Sequence, residues 1–447
     1  MKRELAAAVR LVRARWAAER QYRRVPGLSG ALVHDQELLW SGGFGRGDLD
    51  RGTPAGASTV YRMASVTKLF TATAIMLLRD EGRLDLDDPI AQHVPALRIR
   101  SRFDDGRGPT LRQAASHTAG LPREAPFDYW DTFDIPAIDE MLASLDRTEM
   151  ALAGATEHKY SNLGYALLGH VVERVSGQPF ARFVGERILA PLGMADSAFD
   201  STLSDALRAR VAEGYVVREE KDPEPAPHLE ERAMNPAGGL YSTVDDMARF
   251  AMLQLRDGPA GGAQILAGTT LREMRAPVHI FPDWRRAQGV GWAIERLGDH
   301  TAVGHSGGIP GYATNVALIP ALGLGAIVFC NTGTDPAALT RMALELLAPV
   351  VARGRARAEA RAAPKLPRAL ERYTGRYDAR YFSIEVKAVK GRLALVFPNS
   401  PPGGEITLTQ LDGPLFRAKD GELVQAELDD AGRPTTIRTA GGVYRRA

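Results

Sequence analysis

The stretch MASVTKLFTATAIMLLRDEG, residues 63–82, constrains the chain more than any other. From Ser65 to Glu81 it is rich in Leu, Met, Ala and Ile and holds no Gly or Pro, which predicts a helix. Gly82 supplies the stop. A serine at a helix start sits where unpaired N–H groups and the positive end of the dipole collect. Lys68, three residues on, returns to the same face. The hydroxyl and the amine then stand side by side against an apolar wall of Val66, Leu69, Phe70 and Met76. Burial favours the neutral amine, which can accept the serine proton. Taken alone, the pattern is met more simply by a serine cap with a solvated lysine one turn later.

Two later motifs change that balance. Tyr160-Ser161-Asn162 is the only Tyr-x-Asn of the chain, and His305-Ser306-Gly307 the only His-x-Gly; the Ser-x-x-Lys is likewise unique. In order and rough spacing they resemble the class C β-lactamase and penicillin-binding-protein superfamily of serine hydrolases. The resemblance extends to LRQAASHTAGLP (111–122), KYSNLGYALLGHVVERVSGQPF (159–180), ILAPLGM (188–194), NPAGGLYSTVDDMARF (235–250) and GHSGGIPGY (304–312), and covers about residues 27 to 350.

The resemblance implies that Ser65 Oγ is the nucleophile of an acyl-enzyme mechanism, with Lys68 and Tyr160 sharing the base role. In water an amine and a phenol both stay protonated at neutral pH, but placed together they can relay one proton. Asn162 would orient Lys68 and bind a substrate amide. The N–H groups of Ser65 and Gly308 would form the oxyanion hole. Gly307 and Gly308 would let the strand approach the substrate, with Ser306 a binding hydroxyl on the side wall. His305 stands where true β-lactamases carry lysine, and an imidazole is mostly neutral above its ordinary pKa near 6.5. That weakens the antibiotic-resistance reading and agrees better with esterases and D-amino-acid peptidases. It also predicts that carboxylate recognition switches on as His305 gains a proton. Gly304-His305-Ser306-Gly307-Gly308 also satisfies Gly-x-Ser-x-Gly, but the nucleophile elbow of that motif must run from strand into helix, and here Ile309-Pro310-Gly311 and another strand follow.

Composition bounds the alternatives. At 447 residues, 45% hydrophobic and 25% charged, the chain describes a globular protein of more than one domain. A net charge of +2 carries no nucleic-acid footprint. Cys330 is the only cysteine and lies in the apolar run GLGAIVFCNTG, which reads as a buried strand. The nine histidines show no paired metal spacing, so neither metal nor cofactor is expected. Leu5, Val9, Val12 and Trp16 recur at helical spacing, so residues 1–26 read as an amphipathic helix packed on the body of the protein. Arginines interrupt any secretory apolar region, and the longest uncharged stretch, 312–334, holds Pro320, Gly323 and Gly325. Cytoplasmic location and no membrane span are expected.

The rest of the chain divides as follows. Residues 28–44 read as a hairpin. Residues 83–240 are mainly helix and loop, broken at Pro89, Pro95, Pro109, Pro122 and Pro191, with a helix after Tyr160 and an exposed acidic loop at 219–232 that can border the cleft. From 288 the pattern turns to strands, closed by a helix at PAALTRMALELLAPVVARG. The fold class is therefore α/β: a sandwich with a mainly antiparallel sheet and an all-helical lobe, over 27–351. Residues 352–367 read as linker or helix end. Residues 368–447 hold strand candidates in the runs FSIEVKAVK (382–390) and RLALVFP (392–398) and at 405–411, 414–418, 422–428 and 435–445, a small antiparallel barrel whose opening ERYTGRY resembles lipocalin-like C-terminal domains of the superfamily.

The leading expectation is a serine hydrolase of small esters, amides or D-residue peptides. A transacylase would differ only in its acceptor, and a non-turnover penicillin-recognising sensor or scaffold would not need every motif position filled. A homo-oligomer stays open. Ser116-His117-Thr118 is expected to support the helical lobe, and Trp130, Trp284 and Trp292 to line the cleft or fill core.

Overall fold

The computed structural model describes residues 2–103, 108–218, 221–258, 262–362, 365–398, 400–401 and 403–447. Contacts divide the chain into two units, at Val351 and Ala352 inside the helix Pro336–Ala362.

The first unit is built on a nine-stranded antiparallel sheet. Its spatial order is Thr53–Pro54, Glu37–Asp48, Gly27–His34, Leu324–Cys330, Tyr312–Ile319, His300–Ile309, Ala293–Leu297, Arg286–Gln288 and His279–Ile280. The expected hairpin is there, turning at Asp35 with φ +54°. The strand Leu324–Cys330 is buried along its whole length, which is why it reads as a continuous apolar run.

Register tells the two faces apart. Gly30 pairs with Val328, Val328 with Asn315 and Asn315 with Ser306, so these four share one face. On that face the N-terminal helix Lys2–Tyr22 buries Leu5, Val9, Val12 and Trp16, as its periodicity predicts. The Trp16 ring lies over Gly30, 5.8 Å from the Trp40 ring, and its Nε1–H donates to Leu339 O at 3.1 Å in the helix Pro336–Ala362. Trp16→Ala removes a fully buried ring and its bond to that carbonyl, so it is expected to destabilise the first unit by about 3–5 kcal/mol in denaturant titrations. The opposite face carries the helices Thr67–Asp80 and Val244–Gln254, with Phe70 stacked on Phe250 at 4.3 Å. Ala251 there lies against the Gly325 position, one face over from Val328.

Between the sheet's two halves runs the helical lobe. Its longest helix, Asn162–Ser176, starts where Ser161 Oγ accepts the Gly164 N–H and ends at Gly177 with φ +75°. The acidic segment 219–232 is only partly the exposed loop expected. Glu224–Pro225 pairs with Tyr215–Val216, Leu229 and Glu231 are buried, and Glu219 and Glu220 lie outside the described residues.

The second unit is a closed eight-stranded barrel, Gly375–Asp378, Ser383–Val389, Arg392–Val396, Ile406–Asp412, Leu415–Ala418, Leu423–Leu428, Pro434–Thr439 and Gly442–Arg446. The last strand pairs back onto the first at Tyr377 and Arg446. Alternation drives it: Ile384 and Val386 are buried between exposed Glu385 and Lys387. The expected strand 435–445 is two strands with a turn at Ala440-Gly441. Residues 352–362 continue the preceding helix; Ala363 and Pro364, also in the expected linker, lie outside the described residues. Among the described residues no helix is long and apolar enough to cross a membrane.

Candidate active site

Ser65 sits on a single tight turn, Ala64–Val66, that runs into the helix Thr67–Asp80. The α-helix itself begins two residues later than the sequence predicts, at Thr67. Ala64, just before Ser65, is buried at φ +46°, a left-handed conformation that costs an alanine about 1–3 kcal/mol and persists only where its surroundings enforce it.

Lys68 is fully buried, within the predicted apolar wall. Its Nζ reaches Asn162 Oδ1 at 2.7 Å, Ala237 O at 2.8 Å and Ser65 Oγ at 3.2 Å. The two shorter bonds go to carbonyl oxygens, which only accept, so two N–H donors are committed there. What remains on the nitrogen, a third proton or a lone pair, points at the serine hydroxyl. Asn162 in turn donates from Nδ2 to Glu124 Oε1 at 2.7 Å, so it spans the lysine and a carboxylate.

Tyr160 lies with its ring centroid 5.0 Å from Lys68 Nζ, and the Arg123 guanidinium stands 5.1 Å from the same ring. His117 packs against it, ring to ring at 4.3 Å. His117 Nδ1 accepts the Ser161 N–H at 3.1 Å, and burial, with Lys68 adding to it, holds this imidazole well below its ordinary pKa. His117 therefore supports Tyr160 as a neutral ring. The Tyr160 hydroxyl makes no hydrogen bond among the described residues, and the residue is half-buried.

The strand His300–Ile309 brings the third motif to Ser65. A side chain on Gly307 would meet Met63 O at 2.2 Å, Thr314 Oγ1 at 2.4 Å and Ser65 N at 3.1 Å, so only glycine lets this strand lie against the serine backbone. Gly308 lines one small cavity with Ser65, Asn162, Ala237, Gly238 and Glu231. Ser306 is elsewhere. It belongs to the Gly30 face, where its Oγ accepts from Asn315 Nδ2 at 2.8 Å and Asn315 is bound by Thr340. The expected substrate-binding role for its hydroxyl does not fit this position, because alternation along the strand sends residue 306 away from the face that 307 turns to Ser65.

His305 also departs from expectation. Its Nδ1–H donates to Ser306 O at 2.7 Å, which leaves Nε2 an acceptor on the neutral ring. Burial, with Lys68 adding to it, pushes its pKa down to about 4. It stays neutral where an ordinary imidazole would titrate, so the predicted acid switch is lost. The ratio of kcat/KM between a carboxylate-bearing and an uncharged ester is expected to stay flat from about pH 5.5 to 8. His305→Lys should favour the carboxylate substrate about 10- to 100-fold, the range of a charge-assisted bond. A ratio that bends near pH 6.5 in the unaltered protein would show a charged His305.

Two carboxylates were not singled out in the sequence. Glu124 follows the LPR turn and is held by Asn162, Tyr129 OH and Trp130 Nε1. Glu231 is buried, paired with Arg62 at 3.3 Å, and burial pushes its pKa up to about 7. Nothing in the acidic run 219–232 marks Glu231 from its neighbours. Of the tryptophans, Trp130 lines the cavity, Trp292 is core and Trp284 is 80% exposed. Cys330 is buried, its thiol pushed up to about 12, which leaves no thiolate at neutral pH.

Residues 9–348 match the family model described as Beta-lactamase. The chain is 31% identical over 328 residues to Beta-lactamase-like protein 2 of Dictyostelium discoideum, a match that takes in 72% of this chain and 59% of that protein. Among solved structures, the octameric penicillin-binding protein homologue from Pyrococcus abyssi superposes with a TM-score of 0.67 at 24% identity, over 98% of this chain and 99% of that one. A D-stereospecific amidohydrolase from Streptomyces sp. superposes with a TM-score of 0.59 at 25% identity, over 72% of this chain and 94% of its own. The matched model spans the sheet, the helical lobe and all three motifs, and the chain belongs to the β-lactamase family of serine hydrolases.

Proposed function

We propose that this chain hydrolyses small esters, or amides and peptides of D-amino acids, through an acyl-enzyme on Ser65. The observation that carries the reading is the single buried amine that reaches Ser65 Oγ, Asn162 Oδ1 and Ala237 O at once. In the mechanism, Lys68 and Tyr160 accept the Ser65 proton as Oγ attacks the carbonyl, and return it to the leaving alcohol or amine. The N–H groups of Ser65 and Gly308 hold the oxyanion, and Asn162 keeps Lys68 in line. Water then attacks the acyl-enzyme and the same groups take its proton. The D-residue preference is supported by the Streptomyces amidohydrolase's stated stereospecificity and by the neutral His305.

The test is labelling with a fluorophosphonate, read by intact mass and peptide mapping, followed by turnover of p-nitrophenyl esters and of D- and L-alanine p-nitroanilides. One adduct on Ser65 and a faster D-anilide than L-anilide are expected. Adduct formation on another residue would overturn the mechanism. A rate that rises with added methanol, giving methyl ester in place of acid, would make the chain a transacylase.

A further inference from the structure

The helix Lys2–Tyr22 covers the sheet with one side, and the side it turns to solvent is not an ordinary polar face. At about 100° per residue, the arc opposite buried Leu5, Val9, Val12 and Trp16 holds Ala7, Leu11, Ala14 and Ala18, all exposed, with Tyr22 at its end. Leu11 is 45% exposed and Tyr22 85%. Arg3, Arg10, Arg13 and Arg20 share one flank of that arc, while Glu4, Arg15 and Glu19 lie across it. Eight basic and two acidic side chains fall between Lys2 and Arg24, so a chain of net charge +2 carries +6 there and −4 elsewhere. Of the eight, only Arg23 has a carboxylate partner among the described residues, Glu19 at 2.9 Å.

The basic flank ends in an open bowl of about 440 Å³, lined by Arg20 and Arg24 together with Arg46 of the strand Glu37–Asp48, and none of its lining residues is acidic. Carbonyls hold these arginines. Arg20 Nη1 donates to Val25 O at 3.1 Å and Pro26 O at 3.3 Å, Arg24 Nη2 to Lys221 O at 2.9 Å and Arg46 Nη1 to Gly52 O at 2.7 Å. Neutral acceptors fix a guanidinium without cancelling its charge, and each keeps further N–H donors. Gly45 keeps the floor clear, since a side chain there would stand 2.7 Å from Arg20 Nη1. Arg24 holds φ +54°, so an arginine occupies a helix-end position whose backbone favours glycine.

Fixed guanidinia without carboxylates match a phosphate. An apolar arc beside a basic flank matches the interface of an anionic bilayer, where arginines reach headgroups while leucine and tyrosine enter the acyl boundary. A nucleic acid would satisfy the charge and leave Leu11 and Tyr22 in water. A second copy would set +6 against +6. We propose that this helix and bowl dock the protein on a membrane surface of anionic phospholipid, with a headgroup phosphate in the bowl. The proposal stands independently of the hydrolase reading.

Co-sedimentation of the full chain with vesicles tests it. Vesicles of phosphatidylcholine with about 30% phosphatidylglycerol are expected to bind at least about tenfold more tightly than phosphatidylcholine alone, and binding should fall as salt rises from about 0.05 to 0.3 M. Arg3→Gln, Arg10→Gln and Arg24→Gln should each weaken it about fivefold, and together about 100-fold. Leu11→Gln, which changes no charge, should weaken it about fivefold as well. All four side chains are exposed, so melting and turnover of a soluble ester should stay as they were. Equal binding to the two kinds of vesicle, or unchanged binding in the triple variant, overturns the proposal. So does a Leu11→Gln variant that binds as the unaltered protein does, because a face read through charge alone fits a nucleic acid. A dimer in light scattering that Leu11→Gln breaks would overturn it too, and assign the face to a second copy.

Discussion

Ser65→Ala is expected to abolish fluorophosphonate labelling and to lower kcat/KM by at least about 10⁴-fold, because it removes the serine hydroxyl that the Lys68 amine reaches at 3.2 Å. The variant should melt as the unaltered protein does, since Lys68 keeps its bonds to Asn162 and Ala237. Ser306→Ala is the informative partner. Its hydroxyl accepts one bond from Asn315, whose Nδ2 also donates to His305 O at 3.3 Å, so the loss is partly covered. Label uptake and rate are expected to stay within about twofold, with stability lowered by about 0.5–1.5 kcal/mol. Label on Ser306 in the absence of Ser65 would contradict both the register and the mechanism.

Gly307→Ala is expected to be the next most damaging, for a different reason. The added methyl would stand 2.2 Å from Met63 O and 2.4 Å from Thr314 Oγ1, which is itself hydrogen-bonded to Met63 O at 2.8 Å. Neither is the end of a flexible chain, so the strand has to lift from the serine backbone and carry Gly308 with it. Displacing one oxyanion donor lowers kcat by about 10²–10³-fold. KM should move far less, and the labelling rate should fall with kcat. Unchanged kcat with an unchanged melt would mean that the strand does not press on the nucleophile.

What the sequence made legible was what is local. Ser65 and Lys68 share a helix, Asn162 begins one, and one turn or one strand register places each motif. Buried and exposed residues alternate along the barrel strands, so their positions could be read without knowing their partners. Most of the misses are long-range. Ser306 is one residue from Gly307, and only the pairing with Asn315, Val328 and Gly30 decides which of the two faces the serine. The charge of His305 depends on its burial beside Lys68, which its motif does not encode. Glu231 looks like one more acid in a solvated run, and it is buried because Arg62, on a distant strand, meets it. The start of the Ser65 helix was misplaced because alanine rarely takes positive φ, and nothing in MASVTK announces it.

The sheet's strand order has a consequence for synthesis. Gly27–His34 lies beside Leu324–Cys330, so an early hairpin must wait with an open edge until almost the whole first unit has been made. At about 5–20 residues per second the wait is roughly 15–60 s. An unpaired edge is a template for the wrong partner. That interval, more than the stability of the finished fold, is when a nascent chain of this topology is exposed to aggregation and to chaperones. Ser65 emerges early in that interval and Gly308 near its close, so Ser65 stays without its opposing strand until the translating ribosome has passed both.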